Sequence, residues 1–133
     1  MPSATEPSIA RTARVGSILP RRLVDRPHAR RLEATALLIP GSGPLEAYRS
    51  KLQASSADFA DWDGQVNVAD ADGEPAHRLL VVDRYRQVYA VHDATDAGDL
   101  PDAHALTEWF RFLATACPEC GVLDDPLLDG PTP

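Results

Sequence analysis

The sequence of 133 residues is poor in cysteine, in aromatic side chains and in long apolar runs. Its two cysteines are too few for a disulfide framework. No stretch approaches the ~20 consecutive apolar residues that a membrane span needs, and no apolar run follows Met1 as it would in a secretory signal. These absences predict a reduced, cytoplasmic protein without a membrane partner.

Charge is unevenly distributed along the chain, whose formal net charge is −7. Residues 1–31 hold seven arginines against two acidic residues, a net of +5, and residues 32–133 therefore carry −12. The acidic body would repel nucleic acid, and the N-terminal arginines have no interleaved aromatic side chains on which bases could stack. We expect no nucleic-acid partner, and we expect the arginine-rich segment to be solvated or to lie against the chain's own acidic surface.

Composition predicts one domain between two tails. Residues 1–13 are rich in proline, serine, alanine and threonine and lack periodicity, which is typical of a flexible tail. Residues 122–133 contain three prolines and form the second predicted tail. The folded domain is expected over residues 14–121, a length that allows a single core of modest size.

Five segments have the apolar patterns of strands. Val15–Val24 contains a proline and fits an edge strand, because proline donates no ladder hydrogen bond. Ala34–Ile39 is continuously apolar, as in a central parallel strand covered on both faces. Gln65–Val68 alternates polar and apolar residues, which predicts a strand with one solvated face. Leu79–Val82 and Gln87–His92 are predicted to pair as a hairpin.

Two segments have helical periodicity. The first is expected to begin at Pro44 and end near 61–64, and its apolar stripe comprises Leu45, Tyr48, Leu52, Ser55 and Phe59. The second is expected to begin near Pro101 and stop at Pro118, with a stripe of Leu106, Trp109, Phe110, Leu113 and Cys117. The resulting order of strand, strand, helix, strand, hairpin and helix predicts an α/β fold with a mixed sheet and helices on its faces.

That order resembles the thioredoxin-like fold. The segment Val15-Gly16-Ser17-Ile18-Leu19-Pro20, followed by Leu23-Val24-Asp25, resembles the opening of redoxin domains of the alkyl hydroperoxide reductase/thiol-specific antioxidant group. The hairpin at 79–91, and the helix at 106–113 with the Cys-Pro-Glu-Cys sequence that follows it, also resemble parts of these redoxin-like proteins. The resemblance implies a thioredoxin-like domain with antioxidant or thiol-disulfide chemistry at the loop after the central strand.

The chain departs from that family at the active site. The loop that would carry Cys-Gly-Pro-Cys in a thioredoxin has Ser42, Gly43, Pro44 and Leu45. No cysteine precedes Cys117, so the peroxidatic cysteine of peroxiredoxins is missing as well. A serine hydroxyl does not ionise near neutral pH and cannot form a disulfide, so Ser42 cannot replace a thiolate. We therefore interpret the loop 42–45 as a degenerate active site.

Cys117 and Cys120 form the only dithiol, a Cys-x-x-Cys pair for which three roles remain open. It could be structural, since Cys117 continues a helical stripe. It could be a redox pair, although acidic neighbours and a helix C-terminus both disfavour a thiolate. It could be a zinc half-site, which would need two further ligands from a partner chain.

Two weaker candidates are an acidic cluster and a glycine-containing loop. The aspartates at positions 58, 61 and 63 lack the spacing of a calcium loop, which favours a solvated acidic segment. Gly41-Ser42-Gly43 precedes a helix and could hold an anion, but it lacks the spacing and the lysine of a P-loop, which favours a plain turn.

The sequence therefore favours a degenerate redoxin-like protein that binds a protein partner or a small ligand, without a cofactor. One alternative is an atypical thiol-disulfide oxidoreductase that uses Cys117 and Cys120. A further alternative is a zinc-linked homodimer.

Overall fold

A computed structural model describes residues 5–24, 33–71 and 73–115. These residues form a mixed α/β domain with one four-stranded sheet, five α-helices and one 3₁₀ turn, Ala97–Asp99. The helices are α1 (Thr5–Thr12), α2 (Arg21–Val24), α3 (Glu46–Ala54), α4 (Ser56–Ala60) and α5 (Ala103–Thr115). The strands are β1 (Ala34–Ile39), β2 (Gly64–Val68), β3 (His77–Val82) and β4 (Val88–Ala94). In this part of the chain, no helix is long and apolar enough to cross a bilayer.

The sheet has the strand order β2-β1-β3-β4. β1 pairs in parallel with β2 and antiparallel with β3, and β3 pairs antiparallel with β4. All six residues of β1 are buried. This confirms the prediction from its continuous apolar run, because a strand covered on both faces has no solvated side.

Each face of the sheet contributes to its own apolar cluster. Ala36, Leu38 and Val81 face the cluster that α3, α4 and α5 cover. Leu37 and Leu80 face the opposite cluster, which also contains side chains of the N-terminal segment: Ala10, Ala13, Leu19, Leu23 and Val24. Within residues 1–13, where the composition predicts a tail, the structure thus has α1 and the buried side chain of Ala10.

The predicted edge strand Val15–Val24 is wrong. Of this segment only Ile18 forms a bridge, with Gln87, and α2 begins directly after Pro20. Proline favours the entry to a helix because the first helical N–H groups have no intrahelical partner to lose. Leu19, just before α2, and Leu23, within it, are buried in the same apolar cluster.

The predicted single helix from Pro44 consists of two helices. α3 begins at Glu46 and ends at Ala54, and α4 follows after Ser55. Tyr48, Leu52 and Phe59 are nevertheless buried as the stripe predicts. The apolar spacing therefore identified the buried face but not the break at Ser55.

The polar residues of β2 do not face solvent. The side chain of Gln65 is 1% exposed and donates to the Val24 carbonyl at 2.5 Å and to Thr35 Oγ1 at 3.0 Å. Asn67 donates to the same carbonyl at 2.8 Å. The predicted solvated face is wrong because the end of α2 covers it and supplies a hydrogen-bond acceptor, the Val24 carbonyl.

The predicted hairpin is confirmed, although no glycine occupies its turn. Arg86 takes up the positive φ of 73° that the turn requires. Asp83 stabilises this conformation by accepting hydrogen bonds from the N–H groups of Tyr85 and Gln87, both at 2.9 Å.

The predicted C-terminal helix is confirmed as α5 over its described part. Leu106 and Phe110 are fully buried, and the Phe110 ring packs edge-on against Phe59 with centroids 5.2 Å apart. A methyl group at Gly64 would overlap the Phe110 ring, so this packing requires glycine at the start of β2. The predicted end of the helix at Pro118 lies outside the described residues.

Candidate functional site

The loop 40–45 leaves the carboxyl end of β1 and leads into α3, and it contains residues 42–45, which are predicted to be a degenerate active site. Two hydrogen bonds attach it to the start of β3. The Gly41 N–H donates to His77 Nδ1 at 2.7 Å, and the Ser42 N–H donates to the Pro75 carbonyl at 3.4 Å. Because both N–H groups already have acceptors within the protein, neither is available to an anion, which is in keeping with the plain turn that the sequence favours.

His77 lies fully buried beneath this loop. Since Nδ1 accepts the Gly41 N–H bond, the proton of the neutral imidazole is on Nε2. Nε2 is itself buried and has no hydrogen-bond partner among the described residues. A Cβ at Gly43 would be 3.3 Å from Nε2, so the loop backbone covers this nitrogen closely.

The loop also requires glycine at position 41. A Cβ there would lie 2.5 Å from the carbonyl carbon of Ala76, a distance that real Cβ atoms do not show. The backbone of the loop and the segment before β3 are therefore in direct contact. Because of this close packing, the side chain enclosed beneath the loop is that of His77. Ser42 is part of the loop itself.

A groove of about 870 Å³ adjoins the loop at Pro44. It lies between α3 and the segment that runs from Asp96 to His104. Its buried residues with apolar surface are Tyr48, Leu52 and Leu100. The Tyr48 hydroxyl donates to the Pro101 carbonyl at 2.7 Å and so connects α3 to the entrance of α5.

The groove carries charges of both signs. Glu46 and Lys51 are on its α3 wall, and Asp96 and Asp102 are on the opposite wall. Burial, with a smaller contribution from the Asp102 carboxylate, raises the pKa of Tyr48 to about 12. Tyr48 is therefore a neutral hydrogen-bond donor at physiological pH, and it is not suited to act as a base there.

A second cavity of about 230 Å³ lies beside the edge strand β2. Its apolar lining includes Leu52 and Phe59, and Arg49 and Gln53 contribute polar groups. This cavity is smaller than the range of about 300–1,000 Å³ that is usual for small-molecule sites. The groove is therefore the better candidate for ligand binding.

The predicted site residues divide between the described and undescribed parts of the chain. Ser42, Gly43, Pro44 and Leu45 lie together between β1 and α3. Cys117 and Cys120 lie outside the described residues. The redox and zinc roles predicted for them therefore stay predictions. Within residues 5–24, 33–71 and 73–115, no group of three or more His, Cys, Asp or Glu side chains is arranged to hold a metal ion.

Sequence reasoning missed His77 and the groove. A histidine two residues before the apolar run of β3 is the available signal for a polar side chain at the sheet end. Tyr48 was recognised only as part of an apolar stripe, because its partner Pro101 is 53 residues away.

No protein-family model, no curated protein and no solved structure matches this chain.

Proposed function

We propose that this chain is a degenerate thioredoxin-like protein that binds a small ligand in the groove beside its β1–α3 loop. The observation that carries the proposal is the position of the groove. It adjoins, through Pro44, the loop at the carboxyl end of the central strand β1, and that loop contains no thiol. Ligands of open α/β sheets bind outside the carboxyl ends of the strands, which supports a binding role for this end of the sheet.

The arrangement of elements supports the thioredoxin-like interpretation. β1, α3–α4 and β2 form a strand–helix–strand unit, and β3, β4 and α5 form a hairpin followed by a helix. This is the order on which the resemblance rests. The strand predicted before β1 is not part of the support, since that segment contains α2 instead.

The chemistry of the loop argues against catalysis at this position. Ser42 would need a general base to act as a nucleophile. The histidine beneath this loop, His77, has Nδ1 occupied by the Gly41 N–H and Nε2 enclosed beneath Gly43. An imidazole held in this way stabilises the loop backbone and does not activate the Ser42 hydroxyl.

The groove suits a ligand with an apolar body and polar substituents. Its volume lies within the usual range for small-molecule sites. Leu52 and several alanines supply apolar contacts, while Lys51 and the two aspartates of the opposite wall supply charged groups. Such a lining can orient one amphipathic molecule.

The proposal is tested by NMR titration of the ¹⁵N-labelled full chain with a library of small organic fragments. We expect some fragments to shift the amide resonances of α3 and of residues 96–104. Ala47→Trp, which fills the groove wall, should abolish these shifts. Ala57→Trp adds the same side chain to an exposed position on α4 outside the groove and should leave them intact. Shifts that survive Ala47→Trp would contradict the proposal.

Activity assays separate this function from its alternatives. We expect no peroxide turnover and no insulin reduction by the purified protein. A dithiol that cycles with thioredoxin reductase or glutathione would instead support an oxidoreductase that uses Cys117 and Cys120. Stoichiometric zinc in a particle of twice the chain mass would support the zinc-linked homodimer.

A further inference from the structure

Three exposed apolar side chains lie among arginines at one end of the sheet. Val15, Ile18 and Tyr85 are 66%, 59% and 54% exposed. Backbone hydrogen bonds of 2.8 Å, from Gly16 to Val88 and from Leu19 to Arg86, hold the segment before α2 against the β3–β4 hairpin. We call the resulting surface the arginine face; it consists of Arg14, Val15, Ile18, Arg84 and Tyr85.

The arginine face is positively charged on a protein of net charge −7. Arg84 lies over the Tyr85 ring at 5.4 Å from its centroid, which places a guanidinium beside an apolar surface. The acidic residue of the same turn, Asp83, directs its carboxylate to the backbone N–H groups of Tyr85 and Gln87. Exposed apolar groups bordered by guanidinium groups are suited to an acidic segment that also carries aliphatic side chains.

The chain itself contains a sequence of this chemistry. Residues 122–129 read Val-Leu-Asp-Asp-Pro-Leu-Leu-Asp, with four aliphatic residues and three carboxylates. The described chain ends in α5, and the Phe112 ring of α5 lies 6.5 Å from the ring of Tyr89. Tyr89 follows Val88, whose N–H donates to the Ser17 carbonyl at 2.8 Å. α5 therefore ends at the same end of the sheet as the arginine face, and the seven residues from 115 to 122 can span up to about 25 Å.

We propose that the arginine face binds residues 122–129 of the same chain. The aspartates pair with the guanidinium groups, and the leucines cover Val15, Ile18 and Tyr85. Attachment to the same chain gives this segment a high effective concentration, so weak individual contacts are sufficient. The interaction is independent of ligand binding in the groove.

The first test compares backbone amide shifts in the full chain. Asp124→Asn/Asp125→Asn/Asp129→Asn should shift the amides of Ile18 and Tyr85, because neutral side chains no longer pair with the arginines. The matched control removes three exposed carboxylates elsewhere, in Glu46→Gln/Asp58→Asn/Asp61→Asn, and should leave both amides unchanged. Unchanged amides in the first variant would overturn the proposal.

The second test adds a fluorescent peptide of residues 121–130 to the variant with the three tail asparagines. Arg14→Glu/Arg84→Glu should weaken binding by at least about tenfold. Arg49→Glu/Lys51→Glu, an equal charge reversal on α3, should not. Equal weakening by both pairs would overturn the proposal, because it would show attraction to net charge alone. A dimer of the wild type by light scattering that the asparagines dissociate would also overturn it, since the segment would then bind a second copy.

Discussion

Removing the hydroxyl group of Tyr48 tests the connection between the two walls of the groove. This hydroxyl donates to the Pro101 carbonyl at 2.7 Å, and the side chain is 8% exposed. Tyr48→Phe keeps the ring and leaves the carbonyl without this donor. A net hydrogen bond is worth about 1 kcal/mol, so we expect the free energy of unfolding at pH 7 to fall by about 1–2 kcal/mol.

The same bond has a predictable pH dependence. Burial, and to a lesser extent Asp102, raises the pKa of Tyr48 from 10.0 to about 12 in the folded state. A raised folded-state pKa contributes stability that is fully present below pH 10 and is lost as the pH rises towards 12. At pH 11 the unfolded state is mostly ionised and the folded state mostly protonated. The wild type should therefore lose about 1 kcal/mol of its advantage over Tyr48→Phe between pH 9 and pH 11.

Urea denaturation of both proteins at a series of pH values measures this difference. The pKa of Tyr89 is also raised by burial, but that residue is present in both proteins and cancels in the comparison. Tyr85→Phe, at an exposed position, is the matched control and should follow the wild type. A difference between wild type and Tyr48→Phe that stays constant up to pH 11 would refute the assigned environment of Tyr48.

Three further substitutions test the packing and the dithiol. Gly64→Ala should destabilise the fold by about 1–3 kcal/mol in thermal unfolding. The loss should be smaller when Phe110→Leu is also present, because the added methyl group overlaps the Phe110 ring. Additive effects of the two substitutions would contradict this packing. Gly41→Ala should displace the loop and change the ¹⁵N shifts of the histidine ring beneath it, whereas an unchanged ring spectrum would contradict the contact. Cys117→Ser/Cys120→Ser should leave fragment binding in the groove unchanged, and loss of binding would assign the dithiol to the site.

Local sequence patterns identified the centre of the sheet because burial there is dictated by adjacent residues. The apolar runs of β1 and β3 are covered on both faces. Each apolar residue in these runs therefore predicts its own burial, without reference to distant segments. The hairpin was also predictable from its alternation, even though Asp83 and Arg86 replace the expected glycine.

Prediction failed where a distant segment determines the environment. The alternation of β2 predicts a solvated face for Gln65, but its side chain donates a hydrogen bond to the Val24 carbonyl, 41 residues earlier. The segment before that carbonyl was predicted as a strand, so its role as a cover for β2 was also lost. The wrong strand prediction at α2 therefore led to the wrong solvated face at β2. The Val24 carbonyl at the end of α2 is the acceptor for the polar side chains of β2.

The candidate site has one part that local sequence predicts and one part that depends on a distant segment. The loop 42–45 follows directly from a recognisable strand and precedes a helix, and its lack of cysteine is a property of the sequence alone. The groove depends on α3 meeting a segment some 50 residues later, through a hydrogen bond from Tyr48 to a backbone carbonyl that no side-chain pattern marks. Sequence could thus argue against thiol chemistry at the loop, while a binding role needed the tertiary contact that forms the opposite wall. The loop has no cysteine for thiol chemistry at this end of the sheet, but the groove adjoins it, which is why ligand binding is the activity to test first.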